Sequence, residues 1–165
     1  LMRSSAASDV YKRQPFDLPE LMHEITDVLE KQAAERGIVL HREYGKLPHP
    51  RLVGSPLHVK RLLMNVLSNA IKYNRDGGRV DVTVAADASG SSITVADTGI
   101  GIAPEHQSRV FERFYRVDKS HSKASGGTGL GLSIVKHAVQ YHHGRIELES
   151  TPGTGTTIRA IFPKA

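Results

Sequence analysis

Asn65, Asn69, Lys72 and Tyr73 stand at i, i+4, i+7 and i+8 of one segment, a spacing that lines their side chains along one stripe of a helix. Asparagine is a poor helix-interior residue, so two of them stacked beside an apolar face point to a ligand that uses their carbonyl oxygens. Mg²⁺ is such a ligand, since it takes hard oxygen donors and commonly binds through a few protein groups plus substrate phosphates. Lys72 would then face phosphate charge. Taken alone, the pair favours a solvated helix face with incidental asparagines.

Asp97 follows the apolar residues Ile93 and Val95 and precedes Thr98, Gly99, Ile100, Gly101 and Ile102. A carboxylate at a strand end can accept a hydrogen bond from the exocyclic amine of adenine, whereas guanine presents an acceptor there. Glycines directly after it let the backbone approach a flat ring closely. A plain Asp-x-Gly turn between strand and loop is the alternative. Gly126, Gly127, Thr128, Gly129, Leu130 and Gly131 precede a helical pattern, where free amides and the helix dipole favour anions such as a triphosphate. The cluster is neither a Walker A loop nor a dinucleotide fingerprint, and a glycine cluster by itself is a flexible hinge more often than a phosphate cradle. The nine histidines form no zinc-protease or Cys/His array, and adjacent His142 and His143 point about 100° apart on a helix, which argues against a metal site.

The elements that must position these groups are legible as changes of period. Leu18, Leu21, Ile25, Val28 and Leu29 recur at helical spacing, with Asp17 as N-cap and Gly37 just past the end. Residues 37–44 read as a strand. Pro48 and Pro50 punctuate a loop, and from Ser55 or Pro56 to Tyr73 runs the strongest helix, carrying Leu62, Leu63, Val66, Leu67, Ala70 and Ile71. Asp76, Gly77 and Gly78 make a turn before two strands, 79–86 and 91–97, joined through 87–90 and expected to pair antiparallel. Residues 98–128 form a long loop with a short helical piece around 105–115, the kind of insertion that is usually functional. Residues 130–141 resume helical periodicity, and 145–149 with 156–162 supply two last strands. Helices on one face of a mixed, largely antiparallel sheet would bury both kinds of apolar surface.

Composition sets the limits. With 165 residues, 39% of them hydrophobic, the chain holds one domain and one core. No apolar run approaches the roughly 20 residues of a membrane-spanning helix, so a soluble piece is expected. There is no cysteine, which excludes disulfides, zinc–thiolate sites and thiol catalysis. The net charge of +5 is spread along the chain and aromatics are 5%, which argues against a nucleic-acid platform and suits a polyphosphate ligand. Residues 1–14 lack any periodicity and are expected to be a non-native or disordered leader, with the domain proper at 15–165.

Taken in order, Asn65-Val-Leu-Ser-Asn-Ala-Ile-Lys-Tyr-Asn74, Asp97-Thr-Gly-Ile-Gly-Ile102, Phe111-Glu-Arg-Phe-Tyr-Arg116, Gly127-Thr-Gly-Leu-Gly-Leu132 and Gly153-Thr-Gly-Thr156 resemble the N, first-glycine, F, second-glycine and third-glycine boxes of sensor histidine kinases. The resemblance covers residues 16–163, and Phe16-Asp-Leu18 is similar to the usual opening of that domain. It implies an α+β two-layer sandwich, the Bergerat fold shared with gyrase, mismatch-repair and heat-shock chaperone ATPases. About five strands would be covered on one face by three helices, with an ATP lid. ATP and Mg²⁺ are the implied cofactors. By the same resemblance Asn69, with Asn65, would bind Mg²⁺. Lys72 and Arg116, and with them Arg113, would contact phosphates; Asn65, Lys72 and Arg116 form the catalytic set. Tyr73 and Tyr115 would lie at the nucleotide, Asp97 would read the adenine amine, and Gly99, Gly101 and Ile102 would shape the ring's slot. Gly127, Thr128, Gly129, Leu130, Gly131 and Leu132 would form the lid hinge and phosphate pocket, and Thr156 would support the adenine end. Asn74 stands where threonine or serine is common.

The implied reaction is phosphoryl transfer from MgATP to a histidine on a dimerisation segment that the family places ahead of this domain and that is expected to be absent from this chain. His23 is a poor substitute, lying inside the first helix and lacking the expected proline. Gyrase-type relatives carry a glutamate at the position of Asn65, and a neutral amide cannot serve as that base, so weak hydrolysis is expected. The implied partners are the phosphoacceptor segment and, indirectly, a response regulator, with no nucleic acid and no membrane contact. The isolated domain would be a cytoplasmic monomer, and any membrane anchor would belong to its parent. The alternative is a non-catalytic, ATP-dependent regulatory module of the same fold.

Overall fold

The computed structural model describes residues 13–44, 51–113, 115 and 131–164. Strand β1 (Gln14–Asp17) leads directly into helix α1 (Leu18–Glu35), whose first turn is capped by Asp17, its side chain accepting from the Glu20 amide at 2.9 Å as an N-cap should. Gly37 ends the helix at φ +66°, a left-handed position that glycine occupies without Cβ strain. Then come β2 (Val39–Glu43), β3 (Arg51–Gly54) and α2 (Pro56–Lys72), whose N-cap Ser55 accepts from the His58 amide. Strands β4 (Arg79–Asp87) and β5 (Gly90–Asp97) form a hairpin. After it lie the single-turn helix α3 (Pro104–Gln107), helix α4 (Gly131–Tyr141), β6 (Arg145–Thr151) and β7 (Gly155–Pro163).

Five strands make one mixed sheet in the order β2-β4-β5-β7-β6, with β2 parallel to β4 and every other pair antiparallel. Period-two patterning decides which face is covered: Val80, Val82 and Val84 are buried while Asp81 and Thr83 on the other face are half-exposed. α2 packs against both α1 and α4. Its Val59, Leu62, Leu63, Val66, Leu67 and Ile71 join Leu18, Met22, Ile25 and Leu29 of α1, Val135 and Val139 of α4, and the inward residues of the sheet in one core. Each such side chain contributes about 1.5–3 kcal/mol through removal from water. The central helix is thereby fixed on the sheet, and its polar stripe with it.

The expected α+β sandwich with a five-stranded, mostly antiparallel sheet is present. Four helices are described rather than three, because Pro104–Gln107 closes one turn of its own. Beyond it the expected helix to Tyr115 gives way to successive i to i+3 turns, with amides of Arg109, Glu112 and Tyr115 donating to carbonyls of His106, Arg109 and Glu112. A second, two-stranded sheet pairs β1 with β3, Phe16 opposite Leu52, and periodicity did not foretell it. Of residues 1–14, 1–12 lie outside the described residues. Arg13 donates to the carbonyls of Val53 and Tyr141, and Gln14 pairs with Gly54. Residues 45–50 with the Pro48–Pro50 loop, and residues 114 and 116–128 of the long loop expected over 98–128, also lie outside them. No helix among the described residues is long and apolar enough to cross a membrane.

Candidate functional site

Asp97 ends β5 with its side chain half-buried. Its Oδ1 accepts from the Gly99 amide at 2.8 Å and from the Thr156 amide of β7 at 3.2 Å. Burial pushes the carboxyl above its usual range, and the two amides work in the opposite direction by bonding the charged form. Both bonds fall on one oxygen, which leaves Oδ2 directed elsewhere to meet a donor.

Around it the chain comes as close as backbone allows. A Cβ on Gly99 would stand 2.5 Å from the Tyr73 carbonyl, and one on Gly101, at φ +74°, would stand 2.2 Å from the Thr151 carbonyl. The Ile100 amide donates to Tyr73 O and the Gly153 amide to Ile100 O. The Ile102 amide donates to Ser150 Oγ, which also contacts Thr156 Oγ1 at 2.8 Å. Gln107 Nε2 bridges the carbonyls of Ile102 and Ser150. The loop after β5 is thus zipped to the β6–β7 turn on one side and to the end of α2 on the other. This brings together Tyr73, Asp97, Gly99, Gly101, Ile102 and Thr156, six of the expected site residues.

Asn65, Asn69 and Lys72 lie half-buried along α2. Asn65 Nδ2 donates to the Arg61 carbonyl at 2.7 Å, so its amide nitrogen is turned back on the helix and its oxygen is the end that projects. That orientation fits a hard cation. The Lys72 ammonium lies 5.5 Å from the Tyr73 ring centroid, and Tyr73 is 43% exposed, leaving its ring open to a ligand. Farther along, Tyr115 bonds His106 Nδ1 through its hydroxyl and lies under the Arg109 guanidinium, while Arg113 is exposed. Leu132 packs against the core, and Gly131 opens α4. Arg116, Gly127, Thr128, Gly129 and Leu130 lie outside the described residues.

Several residues that hold this site were missed from sequence. Asn74, 4% exposed, accepts at Oδ1 from the Arg75 amide and the Thr98 hydroxyl and donates to Arg79 O. Arg36, from beyond α1, donates to the carbonyls of Ile71, Lys72 and Asn74, which satisfies groups that a helix C-terminus leaves open. Asn74 carried a signal, in its departure from the common threonine or serine; Arg36 carried none.

A family model for histidine kinase-, DNA gyrase B-, and HSP90-like ATPases matches residues 54–165. The phosphate regulon sensor protein PhoR of Pseudomonas aeruginosa is 44% identical over 118 residues, 72% of this chain and 27% of that protein, so the chain spans about a quarter of that relative's length. The nucleotide-free catalytic domain of histidine kinase ThkA aligns with a TM-score of 0.81 at 25% identity, covering 93% of this chain and 96% of that one. Full-length ShkA in complex with AMPPNP aligns at 0.78 and 26% identity, covering 94% and 32%.

Proposed function

Because the chain belongs to the histidine kinase-, DNA gyrase B- and HSP90-like ATPase family, we propose that it is the ATP-binding catalytic domain of a sensor histidine kinase and transfers the γ-phosphoryl of MgATP to a histidine on a dimerisation segment. The observation that carries this reading is the Asp97 carboxylate, held by the Gly99 and Thr156 amides with one oxygen left for an adenine amine. The AMPPNP bound by the structurally similar ShkA supports an adenine nucleotide as ligand.

Asn69 with Asn65 would hold Mg²⁺, which when bound neutralises phosphate charge. The chain's own residues do the rest by placement. Asp97 selects the base, and the glycine-lined slot orients it. Lys72, Arg113 and Arg116 would supply positive charge to the phosphates, where positioning and charge neutralisation are most of phosphoryl-transfer catalysis. The acceptor imidazole is its own nucleophile and requires no general base from this domain. Asn65 cannot take a proton from water, so steady-state hydrolysis stays slow.

Mixing the purified chain with a separately made phosphoacceptor segment and MgATP tests the proposal. Acid-labile, base-stable phosphate on that segment is the expected result. ATP binding without any transfer would instead establish a regulatory module of the same fold, and rapid hydrolysis in the absence of an acceptor would contradict the role given to Asn65.

A further inference from the structure

Arg75 belongs to none of the groups expected to touch nucleotide, yet its side chain grips two loops at once. Nε donates to the Thr98 carbonyl at 2.8 Å, and a terminal nitrogen donates to the Gly153 carbonyl at 2.5 Å. Thr98 is the residue after Asp97, and Gly153 is in the β6–β7 turn that leads to Thr156. The same stretch of backbone is anchored from below, because the Arg75 amide donates to Asn74 Oδ1 and that oxygen also accepts from Thr98 Oγ1. One guanidinium therefore ties the C-terminal end of α2 to both walls of the slot that presents Asp97.

Resting on the nucleotide reading above, we propose that Arg75 is a positioning residue for adenine recognition: by bridging Thr98 O and Gly153 O it holds the Asp97 loop and the β6–β7 turn at the separation the base requires. The geometry makes the planar fork essential. The two acceptors belong to different loops, and only a side chain with several donors in one rigid plane bonds both while keeping their separation fixed. Lysine brings a single ammonium on a flexible stem and cannot impose that distance. Arg75 itself is exposed and touches no core residue in these contacts, so its removal loosens the slot without unpacking the domain.

Titrating the whole chain with MgATP and with MgGTP, in parallel for Arg75→Ala and Arg75→Lys, reads this directly. For Arg75→Ala, loss of two charge-assisted bonds predicts ATP affinity roughly tenfold weaker, a smaller preference for ATP over GTP, and faster hydrogen exchange at the Ile100 and Gly153 amides. The thermal midpoint should fall only a little, because these are exposed bonds that water replaces in part. Arg75→Lys should recover only a minor part of the loss. A merely stabilising side chain would lower the midpoint and leave the ATP-to-GTP ratio unchanged, and that pattern overturns the proposal. Two failures are distinguishable: an unsubstituted chain that binds no ATP overturns the functional reading together with the proposal, whereas Arg75→Ala binding within about twofold of the parent overturns the proposal alone.

Discussion

The Thr156 amide nitrogen stands 3.2 Å from Asp97 Oδ1, across the register in which β5 and β7 pair these same two residues. The sheet itself therefore aims the carboxylate, since Asp97 cannot swing without breaking a bond at the edge of a ladder. Replacing it by asparagine tests what the second oxygen does. If the side-chain oxygen keeps the two amides, an NH₂ faces the adenine amine, donor against donor. Calorimetry should show ATP binding weakened by about a hundredfold, the scale of one lost bond plus one unsatisfied donor; unchanged heats would remove the basis for the adenine assignment.

The same carboxyl predicts a pH dependence. Burial raises its pKa above the ordinary 3.8, so acidification protonates it earlier than an exposed aspartate and removes the acceptor that adenine needs. ATP affinity should fall as pH is lowered towards that raised value, and this contribution should vanish in Asp97→Asn. Parallel titrations of the two chains at a series of pH values measure it, and identical slopes would contradict it.

Gly101 and Gly77 separate conformational cost from close approach. Both sit at positive φ, +74° and +76°, but a Cβ on Gly101 would meet the Thr151 carbonyl at 2.2 Å while one on Gly77 would meet nothing within 4 Å. Gly77→Ala should therefore cost only the left-handed penalty, about 1–2 kcal/mol, with ATP affinity retained. Gly101→Ala should lower stability further and abolish nucleotide binding, because backbone cannot yield without displacing the β6–β7 turn. Thermal melts and titrations on both variants decide; equal behaviour would show that the slot tolerates a wider loop.

Arg36 predicts a stability effect transmitted to the site. Its guanidinium bonds the Lys72 carbonyl at 3.0 Å and the Asn74 carbonyl at 2.5 Å, reaches Ile71 O as well, and pairs with Asp76 at 3.0 Å. Arg36→Ala leaves several carbonyls at the end of α2 without that partner and should destabilise the chain by about 2 kcal/mol. Denaturant unfolding gives the number, and a change below the error of the method would mean that water replaces the guanidinium at no cost.

The contrast between what was readable and what was not follows the range of the interactions. α2 was visible because Leu62, Leu63, Val66, Leu67, Ala70 and Ile71 repeat at helical spacing behind a Ser-Pro start, and β5 because Ile93 and Val95 lead to a terminal carboxylate. Asp97, Gly99 and Gly101 were legible as a site because neighbours in sequence share its work. β1 and β3 are four residues each and stabilise one another only across the chain, too short for any period to declare itself. Arg36 and Arg75 bond main-chain carbonyls of other segments, and a carbonyl leaves no trace in residue type. The adjacency of His142 and His143 speaks only against a metal site, whereas the role of His142 depends on Ser55, 87 positions away.

That pairing predicts an acid-sensitive packing contact. The His142 ring is 2% exposed, lies against Gly54, and stands 5.4 Å from the Phe162 ring centroid. Its Nε2 accepts from the Ser55 amide at 2.9 Å while Nδ1 lies 2.7 Å from the Ala138 carbonyl, so the neutral Nδ1–H tautomer satisfies both partners. Protonation would set one N–H against another. Burial holds the pKa of His142 below 6.5, and burial with the nearby His137, His142 and Arg61 does the same for His58. The unfolded chain takes up these protons near the ordinary value and the folded chain resists until lower pH. Stability is therefore fully present above about 6.5 and declines as pH falls, by at most about 1.4 kcal/mol per pH unit for each histidine. Urea unfolding at about pH 7.5, 6.5 and 5.5 should show the decline. His142→Leu, which removes the acceptor for the Ser55 amide at every pH, should be less stable at the top of the range and less sensitive to acid; a variant with the parent's slope would mean that the proton goes elsewhere.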